Sequence, residues 1–168
     1  MNLTQSQNSY RFEESRGMKI PLIREDEGCI CSPDLIREIL SPKLTLDDPL
    51  ALTTESDDEI LAFDIYYSEE IIAFAMLRKT HPDMGEWFLW NYAVAPRHRR
   101  KGHGYRILTE LFTMMRNTYG AKTIVTSYIH GNSAAEKLYF RLGFKKTDTI
   151  GGDGVHEINM IYTISEDA

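Results

Sequence analysis

The sequence predicts an α/β (α+β) domain, a mixed and mostly antiparallel central sheet with helices on both faces. Three observations carry that expectation. Strand-like segments crowd the stretch from Ile60 to Val94, separated by short polar turns. Apolar residues then switch to helical spacing at Leu108, Leu111, Phe112, Met115 and Tyr119. From there strand and helix alternate, ending in two strands. That order suits a layered domain.

Taken in order, residues 1–17 are polar and mixed in charge, with no apolar core to a signal segment, and read as a flexible tail. Residues 18–168 read as one domain, since 168 residues leave little room for a second. Ser32 to Leu40 reads as a short helix, with Ser32 as cap and Pro33 at its first position. Glu55 to Glu59 is an acidic, turn-like run. Ile60–Tyr67 and Ile71–Leu77 form a hairpin about Ser68, Glu69 and Glu70. Pro82, Asp83 and Gly85 mark the next turn, and Trp87 to Val94 is a long aromatic strand. A helix follows from Tyr105 to Tyr119, closed by Gly120. Thr123–Ile129 is β-branched and aromatic, hence a strand. Ser133–Leu142 is a second helix, with Ser133 and Glu136 as a capping box and Gly143 as its end. Two last strands flank Gly151 to Gly154, which reads as a hairpin turn.

Composition narrows the function. A net charge of -6 argues against a nucleic-acid protein, whose affinity would need a broad basic surface. No apolar run is long enough to cross a membrane as a helix. Cys29 and Cys31 have one residue between them and no ligand cluster beside them. They read as reduced thiols of a cytoplasmic protein, without a metal. The five histidines are scattered along the sequence, and none is assigned to catalysis.

The densest chemical signal is Val94-Ala-Pro-Arg-His-Arg-Arg-Lys-Gly-His-Gly104, between a strand and an amphipathic helix. Arg97 to Lys101 focus positive charge inside an acidic chain. Gly102 and Gly104 let backbone N–H groups approach an anion, and the helix beyond adds the positive end of its dipole. These parts make a phosphate cradle. It is neither a Walker loop nor a dinucleotide fingerprint, whose glycine spacings are absent. Asn132-Ser-Ala-Ala135-Glu-Lys-Leu138-Tyr139-Phe-Arg-Leu-Gly143-Phe144 follows one strand later.

Together these motifs resemble the GNAT acetyltransferase superfamily. Arg99, Gly102 and Gly104 match its acyl-CoA loop, and Asn132, Ala135, Leu138, Tyr139, Gly143 and Phe144 match its second signature. The resemblance covers about Ile60 to Ile164. It implies a sheet in which two neighbouring strands splay apart to make a cleft for acetyl-CoA. Arg99, Arg100, Lys101, Gly102, His103, Gly104 and Tyr105 would hold the pyrophosphate through the loop amides and the helix start. Tyr92, Ala93 and Val94 would pair with the pantetheine arm, and the Val94 N–H would polarise the thioester carbonyl. Asn132 and Ala135 would flank the arm. Tyr139 would protonate the leaving thiolate, a fitting task for a phenol of pKa about 10 facing a thiol of about 8.5. Family members are commonly homodimers.

An acceptor amine of pKa about 10 is mostly protonated at neutral pH and must lose a proton before attack. Glu86 is the candidate base, eight positions before Val94. Strict alternation would set Glu86, Phe88, Trp90, Tyr92 and Val94 on one face, unless a bulge, usual in the family's strand, breaks the parity. Tyr92 and Asn91 are lesser candidates for the base. The stretch Glu86-Trp-Phe-Leu-Trp90, with Gly131 to Tyr139 and Leu142-Gly-Phe144, looks like the bacterial diamine and spermidine acetyltransferase branch. Asp83 and Glu86 would then meet a polyamine's charges, with Asp64, Glu69 and Glu70 helping if the hairpin folds over the acceptor mouth. Two other readings stay open: acetylation of a protein N-terminus or lysine, and a non-catalytic acetyl-CoA sensor.

Overall fold

The computed structural model describes residues 10–15, 60–151 and 156–164. The expected Ser32–Leu40 helix, the Glu55–Glu59 turn and most of the Gly151–Gly154 turn lie outside them. Among the described residues seven strands form one sheet: β1 (Arg11–Glu14), β2 (Ile60–Tyr67), β3 (Glu70–His81), β4 (Glu86–Val94), β5 (Thr123–Ile129), β6 (Lys145–Gly151) and β7 (His156–Thr163). Their order across the sheet is β1-β2-β3-β4-β5-β7-β6, and every pair is antiparallel except β4–β5. Helix α1 (His103–Tyr119) connects that parallel pair, and α2 (Ser133–Leu142) follows β5.

The hairpin turn is tighter than its sequence implies. Glu70 already pairs with Tyr67, leaving Ser68 and Glu69 at φ +50° and +66°. Two left-handed residues match the twist of the strands they join. Residues Ala62–Tyr66 and Ile72–Leu77 are buried without a break, so both faces of β2 and β3 are covered. On one of them Phe63, Ile65, Ala75 and Leu77 meet Ile107, Leu108, Leu111 and Met115 of α1 in a common core. Tyr119, the last of the helical apolar series, is 39% exposed and meets Trp87 edge-on.

Two readings of the sequence are corrected here. The stretch taken as a tail contains β1, which pairs with β2, and the Ser15 N–H donates to the Ala62 carbonyl. Tyr10 and Ser15, at its ends, are buried. The four-residue strand alternates too little to stand out in a polar segment. The cap of α2 is Asn132, not Ser133, so the capping box does not form; Asn132 Oδ1 accepts from the Ala135 amide at 3.2 Å. Asn and Ser cap about equally well, so composition could not choose between neighbours.

Gly143 ends α2 at φ +108°, where a Cβ would stand 3.3 Å from the Tyr162 ring. Gly143→Ala is expected to cost roughly 1–2 kcal/mol for the left-handed backbone alone. Urea denaturation checks this, and an unchanged midpoint would contradict it.

Candidate active site

The sheet opens where the parallel pair ends. β4 and β5 are in register from Glu86↔Thr123 to Leu89↔Thr126, and no further. The Thr126 hydroxyl donates to the Leu89 carbonyl at 3.0 Å, marking the crotch of the split. A second feature sits at the same level. Met76 pairs with Asn91 and Leu77 with Leu89, so Trp90 is an extra residue bulging from β4. A bulge reverses side-chain parity. Trp87 and Leu89 join the α1-side core before it, whereas Tyr92 and Val94 pack against that core after it. Glu86 therefore faces away from the side that Tyr92 and Val94 occupy.

The bulge also sets the backbone of the cleft edge. The Ala95 amide donates to the Ile72 carbonyl at 2.7 Å. In an antiparallel ladder this makes Ala73↔Val94 a non-hydrogen-bonded pair, and Ala75↔Tyr92 another. The N–H groups of Tyr92 and Val94 thus point away from β3, into the split. The Val94 carbonyl on that side accepts from Arg99 Nε at 2.8 Å.

A cleft of about 470 Å³ fills the split. Its walls include Leu89 to Val94 from β4, Thr126 to Tyr128 from β5, His98 to Arg100 and Gly104 from the loop and α1, and Asn132, Ala134, Ala135, Leu138 and Tyr139 around α2. Of the expected cofactor residues, Tyr92, Ala93, Val94, Arg99, Arg100, Gly104, Asn132, Ala135 and Tyr139 line it. Gly102 caps α1 just behind at φ +83°, and Lys101 is exposed beside it. His103 is buried under the helix start, and Tyr105 lies beneath the Arg141 guanidinium at 4.3 Å.

Backbone geometry builds the cradle. Arg100 at φ +61° and Gly102 at φ +83° turn the chain into α1, whose first N–H groups have no partner within the helix. Arg106 bonds the carbonyls of Gly102 and Lys101 at 3.3 and 3.2 Å, leaving the amide side of the loop to an anion.

Several assignments change. The Tyr92 hydroxyl donates to the Gly104 carbonyl at 2.9 Å. Burial, with the neighbouring Tyr139 and Tyr10, pushes its pKa well above 10, so Tyr92 is a strut between β4 and α1 and not a base. Glu86 does not line the cleft; Thr80 Oγ1 donates to its carboxylate at 2.9 Å, and His81 lies 3.7 Å away. Asp83 is exposed on the Pro82–Met84 turn, also outside the cleft walls. Glu70 pairs with Arg97 and lies 3.3 Å from His98 Nε2, at the loop.

Other wall residues escaped the sequence reading. Thr126, Ser127 and Tyr128 carry no motif; only the parallel pairing brings them opposite the β4 bulge. The Tyr128 hydroxyl is buried and bonds no group among the described residues. The histidines, scattered in sequence, are not all apart in space: the rings of His98 and His103 lie 6.1 Å apart. Burial lowers the pKa of both. Arg97 and Lys101 add to this at His98, and Arg106, His98 and Lys101 at His103. The unfolded chain then takes up protons near pH 6.5, before the native rings do, so stability present above that pH is lost as pH falls below it. The melting temperature is expected to fall between pH 7 and 5, and to fall less in a His98→Gln/His103→Gln double variant. Equal falls would contradict this account.

The comparisons with known proteins agree with the geometry. Residues 32–144 match the model of the Acetyltransferase (GNAT) family. The chain belongs to the GNAT family. This GNAT chain is an acetyl-CoA-dependent acyltransferase. Its fold is similar to a spermidine N-acetyltransferase SpeG chimera from Vibrio cholerae and hSSAT, at 14% identity and TM-score 0.70, covering 93% of this chain and 96% of that one. It is also similar to the ribosomal-protein-S18-alanine N-acetyltransferase from Escherichia coli, at 22% identity and TM-score 0.64, covering 94% and 95%. Aminoglycoside acetyltransferase AAC(6')-Ib, solved with coenzyme A and kanamycin, aligns at 17% identity and TM-score 0.68, covering 92% and 95%. No curated protein sequence matches this GNAT chain.

Proposed function

We propose that this GNAT enzyme transfers the acetyl group of acetyl-CoA to a primary amine by direct attack, with Tyr139 as general acid. The observation that carries the reading is the shared cleft: the Val94 amide turns into it on one side, and Tyr139 lines it on the other. Acetyl-CoA would lie with its pyrophosphate on the Arg100–Gly104 turn and its pantetheine arm along Tyr92–Val94. Asn132 keeps its Oδ1 on the Ala135 amide, leaving its side-chain NH₂ as the donor to the arm.

The transfer then draws on two groups of this chain and on water. The neutral amine attacks the thioester carbonyl carbon and forms the C–N bond. The Val94 N–H stabilises the oxyanion that develops. As the C–S bond breaks, the thiolate takes the Tyr139 proton. The ammonium proton leaves through water, since no carboxylate lines the cleft among the described residues, and the Tyr139 phenolate takes a proton back from solvent.

The acceptor we propose is a polyamine or diamine. Support comes from the likeness of Glu86–Trp90, Gly131–Tyr139 and Leu142–Phe144 to that branch, and from the spermidine N-acetyltransferase whose fold is similar. A second reading, a protein N-terminus, draws support from the ribosomal-protein acetyltransferase of like fold. Competition between spermidine and a short peptide for limiting enzyme separates the two, and a higher kcat/KM for the peptide would overturn the polyamine assignment.

A further inference from the structure

The residue just before β1 reaches a part of the molecule that the transfer chemistry leaves unexplained. Tyr10 is 7% exposed, and its hydroxyl lies 2.7 Å from Nδ1 of His103, 93 positions away in the chain. The Tyr10 amide donates to Glu110 Oε2 at 3.3 Å. Tyr67 of β2 packs on both partners, its ring centroid 5.3 Å from Tyr10 and 4.9 Å from His103. Three elements thus converge on one buried imidazole.

The proton states of the pair follow from their surroundings. Burial raises the Tyr10 phenol above its ordinary value; Arg106 opposes it, and Glu110 and Tyr67 add to the rise, so it keeps its proton. Burial, with Arg106, His98 and Lys101, lowers His103, so its ring stays neutral and offers a lone pair. The two neutral groups share one hydrogen bond, the phenol donating to Nδ1 in one imidazole tautomer and Nδ1–H donating to the phenol oxygen in the other.

His103 is the first residue of α1 and stands between Gly102 and Gly104. A turn framed by two glycines has little stiffness of its own. Its rigidity comes from anchors: Tyr92 on the Gly104 carbonyl from β4, and Arg106 on the carbonyls of Lys101 and Gly102. The Tyr10–His103 bond is a third anchor, and it comes from the far edge of the sheet.

We propose that Tyr10 is a positioning residue for the acetyl-CoA phosphate loop: its hydroxyl fixes His103, and through it the amides on either side, so that the N-terminal edge strand sets the affinity for the co-substrate. The proposal rests on reading Arg100–Gly104 as the phosphate cradle. A donor array held in place before binding loses less entropy on binding.

Calorimetric titration of the full chain with CoA, beside steady-state kinetics, tests this. Tyr10→Phe keeps the ring and its packing and removes only the hydroxyl. The Kd for CoA and the KM for acetyl-CoA should rise roughly three- to tenfold, with kcat at saturation unchanged. His103→Gln should give a similar rise, and the double variant no more than either single change. His103→Gln leaves β1 intact and carries the test if Tyr10→Phe does not fold. A parental Kd in Tyr10→Phe, whatever its melting temperature, would overturn the proposal, as would additive losses in the double variant. Gly102→Val, which disturbs the cradle itself, separates the two levels. If it binds CoA like the parent, the cradle assignment falls and takes this proposal with it. If it loses CoA while Tyr10→Phe does not, the Tyr10 proposal falls alone.

Discussion

Tyr139→Phe is expected to lower kcat roughly 10²–10⁴-fold, the usual range for losing a positioned acid, with little change in CoA affinity. The substitution removes one oxygen. The ring keeps its contacts with Phe144 at 5.3 Å and Tyr128 at 6.4 Å, so the residue's packing in the core survives. Fold and co-substrate binding are then retained while the thiolate loses its proton donor. Thiol release measures kcat, and calorimetry with CoA measures binding. Parental turnover in Tyr139→Phe would remove the acid assignment and leave Tyr139 a core aromatic. A joint loss of CoA binding and turnover would mean the substitution acts on the cleft and not on the chemical step.

Gly102→Val should be the most damaging change in the loop. At φ +83° a β-branched residue is a backbone outlier. A Cβ there would meet nothing nearer than Arg106 Nε at 3.9 Å, so the protein offers no clash to blame. The cost is conformational, roughly 1–2 kcal/mol or more, and the chain can relieve it by rotating the turn. Rotation moves the amides of Gly102 and His103 away from a shared anion. The KM for acetyl-CoA is expected to rise at least about tenfold, the amount that 1.4 kcal/mol of lost binding produces. A similar melting temperature with a raised KM would tie the loss to the loop. An unchanged KM would mean the pyrophosphate binds elsewhere.

Much of this architecture was legible in the sequence, and the exceptions share a cause. Helix α2 and strand β5 stand where periodicity and end signals put them, from Ser133 to Leu142 and from Thr123 to Ile129. Helix α1 begins two residues before the expected Tyr105, because its start is set by Gly102 and not by an apolar residue. The loop and second-motif residues converge on one cleft because short-range signals fix each half, and the parallel β4–β5 pair then joins them. What escaped depends on partners distant in the chain. β1 is visible only through its pairing with β2. The Trp90 bulge is a mismatch between two strands, and a single strand's pattern does not reveal it. That one extra residue turns Glu86 out of the site while bringing Tyr92 and Val94 to it. The His98–His103 contact, and the hydroxyl of Tyr10 on His103, likewise exist only after the sheet assembles.

The central claim is acetyl transfer from acetyl-CoA to an amine in the β4–β5 cleft. Its most direct test is thiol release from acetyl-CoA, measured with spermidine, spermine, putrescine, aminoglycosides and short peptides as acceptors. The account predicts turnover with polyamines. CoA binding with no turnover on any of these acceptors would contradict it and would favour a protein that senses acetyl-CoA without using it.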